Sequence, residues 1–327
     1  MIFKRLRAIL LPLLVSLPLS ALAGPFTHLF VFGDSLSDTG NLSTLTGGAN
    51  PGTAQPYDNG RYSNGKLWIE GLAAGLGLAN DAAPALLGGN NYAFAGARTG
   101  LAGSPPGLLA QAAGLWGTGY APWGLPAHLS ADPNALYVVV GGGNDMRDAR
   151  SAIGGNSATR QAAAAAAIGN LASTIGYLAS MGAKNVLIST LPDLGYTPEA
   201  VLLGLTAASS DASAWFNGYF PGLMGFGASL GLNMNLLDMA ALSADIRQHP
   251  SDYGITNTSW PCAGFAYSQG VSCDQSSFSD VLHPSAYGHS LFARAALDVL
   301  GVPEPDTLAL FGLALLALAV ARRRRAN

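Results

Sequence analysis

A serine with a base within reach is the most telling combination of side chains in this chain. The segment FVFGDSLSDTGN (residues 30–41) closes an apolar run, Leu29–Phe32, at Gly33 and passes into Asp34, Ser35, Ser37, Asp38 and Asn41. Gly, Asp and Ser build turns, so this cluster alone fits the plain end of a strand. A strand tip is also where a nucleophilic serine is held, and such a serine needs a base. Of the five histidines, only His283 has a carboxylate at a telling distance, in Asp280-Val281-Leu282-His283-Pro284. Three residues apart on a turn or helix start, Asp280 and His283 lie on one side. The carboxylate then fixes the imidazole tautomer and leaves the other ring nitrogen to take the serine proton. His28 precedes the first strand, while His249 and His289 read as structural surface or cap residues. Asp34 reads as a brace that bonds its own turn.

A rival nucleophile is Ser229, in Gly227-Ala228-Ser229-Leu230-Gly231. That spacing is a nucleophile elbow only when a strand precedes it and a helix follows. The preceding FPGLMGFG is broken by glycine and lacks β-branched residues, so it is a poor strand.

The elements that must position these groups alternate in type. Leu29–Phe32, Asn91–Ala95, Ala135–Val140 and Val186–Thr190 read as strands, and Leu67–Leu78 and Ala158–Met181 as helices, the latter stopped by Gly182. Continuous apolar strands separated by helices predict a three-layer α/β/α fold around a mostly parallel sheet. Sites in such folds form beyond the carboxyl ends of the strands. Three strand ends here carry Asp34-Ser35, Gly96 with Arg98, and Gly142-Gly143-Asn144-Asp145. The stretch Gly100–Pro126, rich in Gly and Pro, is expected to be a surface excursion beside the site and, with Val201–Phe226, to wall its pocket.

In four separated blocks the chain resembles the SGNH/GDSL hydrolase family: FGDSLSDTGN, NYAFAGA, GGGND and DVLHP, in that order, with GRYSNGKLW similar to a stretch of its exported lipase-like branch. The resemblance spans nearly all of residues 26–300. It implies Ser35 as nucleophile, His283 as base and Asp280 as its orienter. It also implies Gly96 and Asn144 as oxyanion donors beside the Ser35 backbone amide. Chemistry supports these types: glycine lets a backbone N–H approach closely, and an asparagine amide donates without net charge. The implied activity is hydrolysis of carboxylic esters, lipid acyl or simple, without metal or cofactor. A carbohydrate O-acetylesterase acting on surface polysaccharide is the alternative, and an idle surface-binding protein on the same fold is the rival of another class.

Both ends read as addresses. Residues 1–23 place Lys4, Arg5 and Arg7 before an apolar run and Ala21-Leu22-Ala23, the layout of a secretory signal peptide. Residues 302–327 hold Pro303-Glu304-Pro305, an apolar run Leu308–Ala321 and Arg322 to Arg325, and resemble a PEP-CTERM sorting signal. As a helix that run rises roughly 21 Å at ~1.5 Å per residue, short of a ~30 Å bilayer core. The expected partners are therefore signal peptidase and a C-terminal sorting protease, and the expected location is the envelope or exterior of a Gram-negative-type bacterium. Between the two ends, residues 24–301 form the expected hydrolase domain. The two ends hold seven of the 16 basic residues but only Glu304 and Asp306 among the 19 acidic ones, so the core is near −8 and a poor partner for nucleic acid. Cys262 and Cys273 lie close together without a CxxC, which predicts one disulfide in an oxidising compartment rather than a zinc site.

Overall fold

The computed structural model describes residues 25–302, so the leader and the sorting tail lie outside the described residues. Four parallel strands, β1 (Leu29–Gly33), β2 (Leu136–Val140), β3 (Asn185–Ser189) and β4 (Asn233–Leu237), pair in the order β1-β2-β3-β4. A small second sheet joins β5 (Asn257–Pro261) to β6 (Ser276–Phe278). The helices are α1 (Asn41–Leu45), α2 (Trp68–Gly75), α3 (Gly143–Ser151), α4 (Ser157–Met181), α5 (Pro198–Leu202), α6 (Thr206–Gly218), α7 (Phe220–Ser229), α8 (Met239–Gln248) and α9 (Ala286–Val299).

The apolar runs of β1, β2 and β3 are continuous because both faces of the sheet are covered. Successive side chains in a strand point to opposite faces. Phe30, Phe32, Tyr137, Val139, Val186 and Ile188 accordingly enter one core, against α4, α6 and α7. Leu29, Val31, Leu136, Val138, Val140 and Leu187 enter the other, against α2 and α9. This is the expected α/β/α sandwich. The alanine-rich α4 is long and apolar enough to cross a membrane, yet Ala164, Ala167, Leu171, Ile175 and Leu178 are buried in the first core. Asn156 caps its start through the Thr159 N–H, and Gly182, at φ 108°, ends it.

Two expectations are corrected. Asn91–Ala95 lies beside β1, with Tyr92 N donating to Val31 O at 2.7 Å and Phe94 N to Gly33 O at 3.1 Å, but no ladder forms beyond an isolated bridge at Asn91. Side chains occupy its outer edge instead: Asn41 Nδ2 donates to the carbonyls of Asn91 and Ala93, and Ala95 N donates to Asp38. Nor is Gly100–Pro126 a surface excursion throughout. It contains a wide, π-type helix, Ala110–Thr118, whose Gln111, Ala112, Leu115 and Trp116 are buried. Its glycines hid the apolar face that Leu108, Ala112, Leu115 and Trp116 share.

Candidate active site

Beyond β1 the chain makes a tight, buried turn. Ser37 N and Asp38 N both donate to Asp34 O, and the Asp34 carboxylate accepts from Leu36 N at 3.0 Å. The turn is gripped from beneath by Gln111, which accepts from Gly33 N at 2.8 Å and donates to Gly33 O at 2.9 Å. Asp38, also buried, gathers the N–H groups of Gly40, Asn41, Leu42 and Ala95. Ser35 is thus held on a turn whose polar groups are almost all spent on the protein itself. Asp34 braces that turn as expected. Burial pushes its carboxyl up to about 6 against the opposing Leu36 hydrogen bond.

His283 reaches the same point from the other end of the chain. Its Nε2 lies 2.9 Å from Ser35 Oγ, and its Nδ1 lies 2.7 Å from Asp280 Oδ2. Asp280 is fixed by the backbone N–H groups of Leu282 and His283, at 2.7 and 2.6 Å, and by the Tyr57 hydroxyl at 2.6 Å. Burial would raise the Asp280 carboxyl, but the adjoining His283 and these donors hold it well below the usual carboxylate range. An ionised carboxylate only accepts hydrogen bonds, so the proton on His283 Nδ1 lies between the two, the tautomer in which a neutral ring turns a free Nε2 lone pair to the serine. Tyr62 packs on the His283 ring at 5.1 Å between centroids. The loop bearing the pair runs from β6 to α9; the Cys262–Cys273 disulfide joins the end of β5 to the turn just before β6, and Ser285 caps α9 at the loop's far end.

Gly96 and Asn144 complete the edge. Gly96 takes φ 83°, a left-handed turn that side chains resist, at the end of the segment that Asp38 and Asn41 hold beside β1. Asn144 starts α3 beyond β2, after Gly142, whose φ is 113° and whose missing Cβ leaves room for the Phe216 ring. Asn144 Nδ2 donates one hydrogen to Ala97 O at 3.0 Å, and its Oδ1 accepts from Arg147 Nη1 at 3.1 Å. The backbone N–H groups of Ser35 and Gly96 donate to no acceptor among the described residues.

Ser35, Asn144, Arg147, Leu282 and His283 stand between two clefts. One is a narrow chamber of about 130 Å³ with Leu191, Leu194, Ile246, Ile255, Phe278 and Phe292 in its wall. The other is wider, about 540 Å³, and is bordered by Leu42, Thr46, Asn50, Gly96, Ser104 and Pro105. The expected pocket walls are therefore corrected: Val201–Phe226 lines neither cleft, and Gly100–Pro126 contributes only Ser104 and Pro105.

The other sequence candidates separate clearly. Ser229 ends α7, is exposed, and donates to Phe226 O, with β4 following rather than preceding it. His249 is exposed and bonded to Asp245, as a surface residue. His289 is not at the surface: it is buried, neither ring nitrogen has a partner, and burial pushes it down to about 3. Its place on the inner face of α9, four residues after the Ser285 cap, decides this. Tyr57, Gln111, Arg147 and Glu199 were not singled out in the sequence. Tyr57, Gln111 and Glu199 each act across a long sequence separation that no local spacing marks, whereas Arg147 reaches Asn144 from three residues along α3, a spacing the sequence does carry.

Comparison with known proteins places this geometry in context. The family described as GDSL-like Lipase/Acylhydrolase matches residues 29–296, and the PEP-CTERM protein-sorting motif matches residues 301–325. The phosphatidylcholine-sterol acyltransferase of Aeromonas hydrophila is 28% identical over 302 residues, covering 86% of this chain and 82% of that protein. Esterase EstA of Pseudomonas aeruginosa is 28% identical over 330 residues, covering 88% of this chain and 49% of the relative, so the chain spans about half of that protein's length. Among solved structures, Est24, a carbohydrate acetylesterase from Sinorhizobium meliloti, aligns with a TM-score of 0.44 at 17% identity, covering 84% of this chain and 99% of that one.

Proposed function

The chain belongs to the GDSL-like lipase/acylhydrolase family and is a hydrolase of ester bonds, and from that premise we propose that Ser35, His283 and Asp280 cleave carboxylic esters through an acyl-enzyme. The observation that carries this reading is the unbroken contact from Ser35 Oγ through both nitrogens of His283 to Asp280. Ser35 Oγ attacks the carbonyl carbon while His283 Nε2 takes its proton. The resulting imidazolium is stabilised by the ionised Asp280. The negative charge developing on the carbonyl oxygen is met by the Ser35 and Gly96 N–H groups and the remaining Asn144 Nδ2 hydrogen. Collapse expels the alcohol, which leaves with the proton from Nε2. Water, deprotonated by the same nitrogen, then releases the acid and restores Ser35. Each oxyanion donor contributes typically ~10²–10³ in rate.

The PEP-CTERM motif indicates export in a Gram-negative bacterium. Removal of a leader by signal peptidase and of the tail by a sorting protease, with residues 24–301 as the mature hydrolase, follows as part of the same proposal.

A fluorophosphonate probe tests the assignment. The adduct is expected on Ser35, and Ser35→Ala and His283→Ala should each remove most ester hydrolysis, with the double variant little worse, because nucleophile and base act as a unit. An adduct on Ser229, or full activity in Ser35→Ala, would overturn it.

A further inference from the structure

The two clefts that meet at Ser35 differ in both size and chemistry. The chamber is walled by Leu191, Leu194, Phe278 and Phe292, with Ile246 of α8 and Ile255 ahead of β5. Its charged neighbours are largely engaged elsewhere. Asp34 bonds Leu36 N, Asp193 bonds Gly195 N, Arg147 bonds Asn144 and Glu199, and Arg247 lies 3.5 Å over the Tyr196 ring. An occupant therefore meets mainly hydrocarbon. The wider cleft sets Thr46, Asn50 and Ser104 among Leu42, Leu45 and Pro105, a more even mix of polar and apolar groups than the chamber, and opens past Gly96.

On the ester-hydrolase reading above, we propose that the narrow chamber holds the acyl chain and that the wide cleft holds the alcohol, making short-to-medium acyl esters of a bulkier, polar alcohol the preferred substrate class. The acyl group stays bonded to Ser35 after the alcohol has gone, so it belongs in the narrow apolar side. The alcohol leaves after the first step and needs the open one. Size sets the chain length. An apolar protein cavity of roughly 150 Å³ takes a six-carbon ring, so a chamber of about 130 Å³ takes five or six carbons. An acetyl group would leave most of that wall uncovered, which sets this substrate class apart from O-acetyl polysaccharide.

Two ester series separate the clefts: p-nitrophenyl esters from acetate to dodecanoate, and alkyl acetates from ethyl to dodecyl. In the first, kcat/KM should peak between butyrate and octanoate, with hexanoate at least ~10-fold above acetate, since a single methylene in a hydrophobic pocket is worth ~10-fold or more. The second series should show no such peak. Ser243 of α8 and Thr258 of β5 both line the chamber and are only half-buried, so Ser243→Phe and Thr258→Phe fill it from two separate elements. In either variant that folds with wild-type thermal unfolding, the hexanoate-to-acetate ratio should fall toward one. Acetate as the best acyl group, a peak in the alkyl acetate series, or an unchanged ratio in a folded filled variant would each overturn the assignment of the clefts while Ser35 still took the fluorophosphonate. Loss of both labelling and hydrolysis in the wild type would instead sink the ester-hydrolase reading and this one with it.

Discussion

The proposed role of Asn144 as an oxyanion donor rests on an amide pinned at both ends. Ala97 O takes one Nδ2 hydrogen, Arg147 Nη1 holds Oδ1, and the second Nδ2 hydrogen has no acceptor among the described residues. Arg147 is itself anchored to Glu199, which also receives the buried Arg150 guanidinium. Burial would raise the Glu199 carboxyl, but the two arginines outweigh it and hold it low. Glu199 N donates to Val281 O at 2.8 Å, so one short peptide stretch steadies both the amide and the loop that bears Asp280 and His283. A cation on Oδ1 also polarises the amide and makes its N–H the stronger donor. Asn144→Ala should lower kcat by ~10²–10³ with little change in KM. Arg147→Gln should give a smaller loss of the same kind, because it acts through Asn144, and in the Asn144→Ala background it should add almost nothing. A purely structural role for Arg147 would show additive losses, or a raised KM with kcat intact, in the same steady-state measurements.

At the scale of elements, the strands that build the floor of the site were legible because β1, β2 and β3 are covered on both faces and carry unbroken apolar runs. Ser35 and Asn144 follow strand ends, and Asp280 and His283 share a three-residue spacing, so local pattern singles them out as candidates. Gly96 instead follows a segment that forms no strand, and its role as an oxyanion donor comes from the family resemblance. Asn91–Ala95 misled because its edge partners are side chains of Asn41 and Asp38, which no strand pattern encodes. The chamber was invisible for a similar reason: α8, the turn ahead of β5, β6, α9 and the turn after β3 each lend it one or two apolar residues of ordinary appearance. The disulfide was legible from spacing, and the small sheet explains its use. Cys262 follows β5, Cys273 precedes β6, and β6 leads directly into the Asp280–His283 loop. Opening a loop of 11 residues should cost about 3 kcal/mol in the chain-entropy view. Cys262→Ser with Cys273→Ser should therefore lower the urea midpoint, and the loosened loop should reduce kcat more than it changes KM. An unchanged midpoint would mean that β5 and β6 hold the loop without the bond.

The whole molecule is acidic, near −8 between its two ends, and it concentrates carboxylates at the carboxyl edge of the sheet, where Asp34, Asp38 and Asp280 are buried and Asp145 is half-buried. They do not respond alike to pH. Asp280 is held low by His283 and its donors, whereas burial raises Asp34 to about 6 from 3.8. Folded Asp34 thus keeps its proton over a range in which the unfolded chain has lost it. Where the native state binds more protons, stability falls as pH rises. The contribution of Asp34 is accordingly most favourable below about 4, declines through 6, and at neutral pH leaves an ionised carboxylate costing about 2–3 kcal/mol. His289 runs the opposite way: pushed down to about 3 by burial, it contributes stability above 6.5 that is lost as pH falls toward 3. Because both variant and wild type carry His289, its effect cancels in their difference. Asp34→Asn keeps an acceptor for Leu36 N without the charge. Measured by urea unfolding, the variant should match or trail the wild type at pH 4 and gain about 2–3 kcal/mol on it by pH 7.5. A constant difference across that range would mean that Asp34 is solvated well enough to ionise normally, and that the turn bearing Ser35 is looser than its hydrogen bonds to Leu36, Ser37 and Asp38 require.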